Sequence, residues 1–119
     1  DMGNSHIVIF YRNLGTQEKS LLGQFLQNCQ FFPDSVNVNF ARIEGNRIHL
    51  RVFERGVGFT LACGSGACAT FAAARHLKFV ENQAQINFEL GSLFMSYENE
   101  NIILSGPANK VATGIYCEQ

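Results

Sequence analysis

The sequence predicts an α+β domain: a strongly curved, mostly antiparallel sheet wrapped around one central apolar helix. Three observations carry that class. Runs such as "HIVIFY", "VNVNFARI", "RIHLRVF" and "QINFEL" are β-branched or alternating, and turn-forming residues separate them, so they read as strands. The stretch from Gly64 to about Val80 has helical patterning and is apolar nearly all round, so it has to be surrounded by protein. The last third of the chain resolves into short strands and turns.

Taken in order, residues 6–11 form a buried strand. Thr16 caps the helix "QEKSLLGQFLQNC", its hydroxyl accepting an early helix N–H, while Leu21, Leu22, Phe25 and Leu26 make an apolar stripe. Pro33 in "FFPDS" ends that helix, because proline disfavours helical geometry at the residue before it. "VNVNFARI" and "RIHLRVF" flank "EGN", a hairpin signal in which Gly45 and Asn46 tolerate positive φ. In the central helix Ala67, Ala69, Ala72, Ala73 and Ala74 keep the cylinder slim, and Phe71, Leu77 and Phe79 give it bulk. Then come "QINFEL", a turn at Gly91-Ser92, "LFMSY", a turn at 99–101, "IILSG" and "KVATGIY".

The 119 residues make one domain by length, with 46% hydrophobic and 16% charged residues, enough for a sizeable core. A net charge of −1 gives no warrant for a nucleic-acid or anionic-membrane partner. No apolar run reaches the ~20 residues a membrane span needs. Cys29, Cys63, Cys68 and Cys117 in such a chain read as reduced thiols of a cytoplasmic protein rather than a disulfide scaffold. Metal-ligand spacing is poor, and no metal is expected. "DMGNSHIVIF" puts Asp before Met and enters a strand almost at once, which reads as a piece of a longer protein.

The candidate chemistry lies in "ACGSGAC", residues 62–68. Backbone N–H groups in a helix's first turn have no partner within the helix, and the dipole puts positive potential there. The turn at Gly64, Ser65 and Gly66 can therefore hold an anion such as a carboxylate, glycine allowing close approach. The same field favours thiolate over thiol at Cys63. Spacing leaves two kinds of chemistry open: nucleophilic attack, which wants a histidine base, and proton abstraction by the thiolate. It leaves tight packing alone open as well. Cys68 lies five residues on, ~7.5 Å of rise and ~140° of rotation away along a helix, so it cannot face the same carbon and is expected in the core.

"ERGVGFTLACGSGACA" at 54–69 strongly resembles the cysteine signature of the diaminopimelate epimerase family. "GNSH" at 3–6, "FPDSVNVNF" at 32–40 and "LSGPANKV" at 104–111 are similar to three further landmarks of that family, in its order. The resemblance implies the C-terminal half of a two-half enzyme. Each half would be a sheet around a central helix, with the active site in the cleft between. It further implies cofactor-independent interconversion of LL- and meso-diaminopimelate for lysine and peptidoglycan synthesis. One cysteine from each half would act as acid or base.

By position, Cys63 would be one of these thiols, and Gly64 and Ser65 would bind the reacting carboxylate. Asn4 and Asn37 would hydrogen-bond the distal amino-acid end, and Arg55 would pair with the distal carboxylate. Glu54 would contact an amino group and, with His6, tune the thiol. The N-terminal half, with its own cysteine, is the implied partner, and the bare cleft face could pair with a second copy. Alone, the chain is expected to be inactive. Two departures stand out: Ser5 replaces a proline, and Phe59 replaces a glutamate beside the thiol turn. A different racemase or isomerase of the same superfamily, or a non-catalytic module, is the alternative.

Overall fold

The computed structural model describes residues 6–29, 36–54, 58–60, 64–89, 91–105 and 115–117. Along them run β1 (His6–Phe10), α1 (Thr16–Gln27), β2 (Asn37–Glu44), β3 (Arg47–Glu54), β4 (Gly58–Thr60), α2 (Gly64–His76), β5 (Gln83–Asn87), β6 (Ser92–Glu98), β7 (Asn101–Ser105) and β8 (Ile115–Cys117). The hairpin expected around "EGN" forms: β2 pairs antiparallel with β3 from Val38↔Phe53 to Glu44↔Arg47. Gly45 takes φ 60° in its turn, a conformation that costs an L side chain energy. A second hairpin joins β6 to β7 through Asn99 (φ 52°) and Glu100 (φ 66°), the double positive φ that matches strand twist.

The described strands form one sheet in the order β1-β2-β3-β5-β6-β7-β8. The outer edge of β3 is shared, its end near Glu54 by β4 and its start near Arg47 by β5. Only β1–β2 and β3–β5 are parallel among these pairs. Helix α2 packs against β1, β2, β3, β5 and β7, so the sheet curls around it as the sequence predicts. That α+β architecture follows from α2's composition: Ala67, Phe71 and Ala74 are each 0 % exposed and need apolar neighbours on several sides.

Strand alternation sorts the sheet into two faces. Ala41, Ile48, Leu50 and Val52 join Ala84, Ile86, Met95, Ile102 and Leu104 around α2. Val36, Val38, Phe40 and Phe53 point the other way, where Leu22 and Leu26 of α1 cover them. Gln27 ties α1 down through its Nε2, which donates to the carbonyls of Val36 (3.1 Å) and Phe53 (3.4 Å).

Several local expectations are corrected. Thr16 is the first helical residue of α1 rather than its cap; Gly15 is the N-cap, and its N–H donates to Glu18 Oε1 at 2.7 Å. The predicted stripe on α1 splits, since Leu21 and Phe25 are 60% and 67% exposed while Lys19 and Gly23 are buried. The cause is Gly23, whose missing side chain lets the helix settle directly on Phe53. β1 is half-buried, because it stands at a sheet edge. α2 stops at His76, short of Val80: Lys78 turns to φ 67° and the Phe79 N–H closes onto Ala74 O at 2.8 Å. Leu77 and Phe79 are consequently exposed, although Phe79 sets its ring edge-on to Phe10 at 4.9 Å. β4 has no sequence signal, being three residues long. The break at Pro33 and most of "KVATGIY" lie outside the described residues. No helix of the described residues is long and apolar enough to cross a membrane.

A Cβ on residue 23 would fall 2.6 Å from Phe53 Cδ2. Gly23→Ala is therefore expected to lose about 1–3 kcal/mol through overpacking, despite alanine's better helix propensity. Urea unfolding of the two proteins measures it; an unchanged or raised midpoint would contradict this packing.

Candidate active site

The row of residues at one end of the sheet is set by register. His6 of β1 pairs with Asn37 of β2. Val38 pairs with Phe53, so Asn37 and Glu54 stand one step beyond that pair. Alternation directs all three to the α2 side, since His6 shares parity with Val8 and Phe10, Asn37 with Ala41, and Glu54 with Val52. The sheet thus carries an imidazole, an amide and a carboxylate side by side. Against this row comes the start of α2, where Gly64 and Ser65 are exposed and the buried part of the helix begins at Gly66.

One contact joins helix to sheet: His6 Nε2 lies 3.2 Å from Ser65 Oγ. Behind His6 stands Asn39, fully buried, whose Nδ2 is 3.1 Å from His6 Nδ1 and 3.1 Å from the Ile7 carbonyl oxygen. Sequence reading singled out Asn37 and missed Asn39. The available signal was its i+2 spacing from Asn37, which puts both asparagines on the face opposite Val36, Val38 and Phe40. Gly66, which the sequence places in an anion-binding turn, also has a packing role. A Cβ there would fall 2.5 Å from Asn39 Oδ1, so only glycine lets the helix approach the strand this closely.

Two opposing effects act on His6. Burial disfavours its charged form and is the larger, while the Glu54 carboxylate favours that form, and the net result lowers the pKa from 6.5. The ring is therefore held neutral where an ordinary histidine would begin to charge. Its two nitrogens remain engaged with Asn39 and Ser65.

Of the residues named from sequence, His6, Asn37, Glu54, Gly64 and Ser65 converge on this end of the molecule. Cys63, Asn4 and Arg55 lie outside the described residues, as does Ser5. Phe59 packs its ring on Phe53 (centroids 5.1 Å apart) and takes the Arg51 guanidinium over its face at 4.6 Å. That side chain belongs to the aromatic cluster under α1, and a group at position 59 points there. The expectation of reduced thiols fails at Cys68, which is disulfide-bonded. Its side chain is half-buried and packs against the core. Cys29 is a free, half-buried thiol. Among the described residues no three His, Cys, Asp or Glu side chains cluster as metal ligands would.

The family model for diaminopimelate epimerase matches residues 1–111. Curated diaminopimelate epimerases resemble the chain over its length: that of Rickettsia bellii is 51% identical over 119 residues, covering 99% of this chain and 44% of the relative. That of Rickettsia felis is 51% identical over 120 residues, covering 100% and 44%. The chain thus spans less than half the length of these relatives. Among solved structures, the Bacillus anthracis phenazine biosynthesis protein of the PhzF family superimposes with a TM-score of 0.58 at 19% identity, over 78% of this chain and 30% of that one. That likeness is one of fold.

A histidine with a lowered native pKa takes up protons more readily when unfolded. The stability it supports is complete above the ordinary value of 6.5 and is lost as pH falls towards the native value. His6→Gln should therefore flatten the decline in unfolding free energy below pH 6.5 relative to wild type. Parallel slopes for the two proteins in urea titrations between pH 7 and pH 5 would show that His6 is not held neutral.

Proposed function

Because the chain belongs to the diaminopimelate epimerase family, we propose that it is the C-terminal half of an isomerase that inverts the α-carbon of diaminopimelate by two-base proton transfer. The observation that carries this reading is the meeting of the His6–Asn37–Glu54 row with the exposed first turn of α2, sealed by the 3.2 Å His6–Ser65 contact. An amino-acid substrate needs its carboxylate held, its α-hydrogen aimed at a base and its far end recognised by polar groups. The start of α2 supplies the first through the positive end of the helix dipole at Gly64 and Ser65. Cys63, directly before it in sequence, supplies the base. Asn37 and Glu54, with Asn4 and Arg55, supply polar recognition.

In the forward step the Cys63 thiolate takes the α-proton. The C–H bond breaks, its electron pair spreads into the carboxylate held at the helix start, and an S–H bond forms. A thiol from the other half then gives its proton to the opposite face of the carbon and is left as thiolate. In reverse the roles exchange. A carboxylate gripped by helix amides is what makes the α-hydrogen removable, so no cofactor enters. His6, held neutral by burial, keeps a second positive charge out of the site and leaves the helix end to set the thiol's ionisation.

A single base cannot deliver a proton to the face it does not touch. The chain alone is therefore expected to leave diaminopimelate unepimerised, and joined to the complementary half to epimerise it with solvent deuterium entering the α-position in heavy water. Cys63→Ser in the joined enzyme should lower the rate at least ~100-fold. Epimerisation by the lone chain, or a Cys63→Ser enzyme of near wild-type rate, would refute the two-base reading.

A further inference from the structure

Two neighbours fix which way the Asn39 side chain faces. The Ile7 carbonyl oxygen has no hydrogen to offer, so the Asn39 atom 3.1 Å from it is the amide nitrogen. That nitrogen's second hydrogen goes to His6 Nδ1, also at 3.1 Å. Turning the amide over would face two oxygens at this distance in a place with no solvent to separate them, Asn39 being 0 % exposed. Sideways movement is blocked as well, since Oδ1 abuts the α2 backbone at Gly66 and finds no hydrogen-bond partner among the described residues.

A rigid donor at Nδ1 decides the state of the ring. Nδ1 must accept, and a neutral imidazole whose Nδ1 accepts carries its hydrogen on Nε2. Nε2 is the atom facing Ser65 Oγ at 3.2 Å. Ser65 Oγ therefore accepts from His6 Nε2–H at the exposed start of α2.

We propose that Asn39 is a positioning residue of the site: it locks His6 as the Nε2–H tautomer and thereby makes the ring the donor to Ser65 Oγ, tying the sheet to the start of α2. The tautomer follows from contacts alone, whereas its catalytic consequence rests on the epimerase reading above. Were residue 39 an acceptor, Nδ1 would hold the hydrogen and Ser65 would be the donor to Nε2.

The test uses this chain labelled with 15N-histidine and joined to the unlabelled complementary half. Wild-type His6 should show a pyridine-type Nδ1 and a pyrrole-type Nε2 at neutral pH. Asn39→Asp, an acceptor of the same shape, should turn Nδ1 pyrrole-type; Asn39→Ala should leave the ring mixed. Unaltered His49 and His76 signals report that each variant is folded. Both variants should lose kcat by roughly tenfold or more with a smaller change in KM, the scale on which orienting partners of a functional imidazole act. A wild-type ring with the hydrogen on Nδ1 overturns the proposal without any variant. A reversed ring with kcat unchanged overturns the positioning role. A joined wild-type enzyme with no epimerase activity but the predicted tautomer would sink the functional reading and leave the Asn39–His6 assignment standing.

Discussion

An alanine-rich helix apolar on almost every side can exist in water only inside something, and the chain answers that demand by curling its own sheet around it. α2 leaves no polar face for solvent, so strands must approach it from several directions, and β1, β2, β3, β5 and β7 do so. Its N-terminus is the exception. The first turn of any helix has backbone donors to satisfy and a positive dipole end, both of which favour an opening towards anions over an apolar wall. Burial of Ala67, Thr70, Phe71 and Ala74 and exposure of Gly64 and Ser65 are thus two sides of one constraint.

Close approach is secured by absent side chains. Gly23 lets α1 rest on Phe53, and Gly66 lets α2 rest on Asn39. These contacts press the sheet from its two faces near the same end, β2 lying between them. His6, Asn37, Asn39 and Glu54 hang on strand ends held by core pairs such as Val38↔Phe53, so their relative positions inherit the rigidity of the ladder. A site built on strand ends and one helix end needs little loop structure to define its geometry, and polar groups stay on the rim while apolar ones fill behind them.

Asn39 shows how a buried polar residue can be specified by its surroundings. In the apolar space beside Val52 and Gly66 an amide is costly unless its hydrogens are used, and both are, on Ile7 O and His6 Nδ1. The chain from Asn39 through His6 to Ser65 links strand, neighbouring strand and helix by side-chain contacts alone. The neutral ring between them fits the burial that lowers its pKa, even with Glu54 pulling the other way.

The sequence by itself determined the class of fold, the β2–β3 hairpin, the central helix and its glycine-led start, and the family, because alternation, apolar periodicity and a long contiguous motif are local patterns. The resemblance also named Cys63, His6, Glu54, Asn4, Asn37, Arg55, Gly64 and Ser65 as members of one site, and the structure sets His6, Asn37, Glu54, Gly64 and Ser65 near one another. Only the tertiary structure decided that Leu21 and Phe25 face outward while Lys19 is covered, that Lys78 ends α2, that Phe59 belongs to an aromatic cluster, and that Asn39 stands behind His6. Those outcomes depend on which face of one element meets another. That is a matter of register and approach distance between residues as far apart in the chain as His6 and Ser65, and no local pattern encodes it.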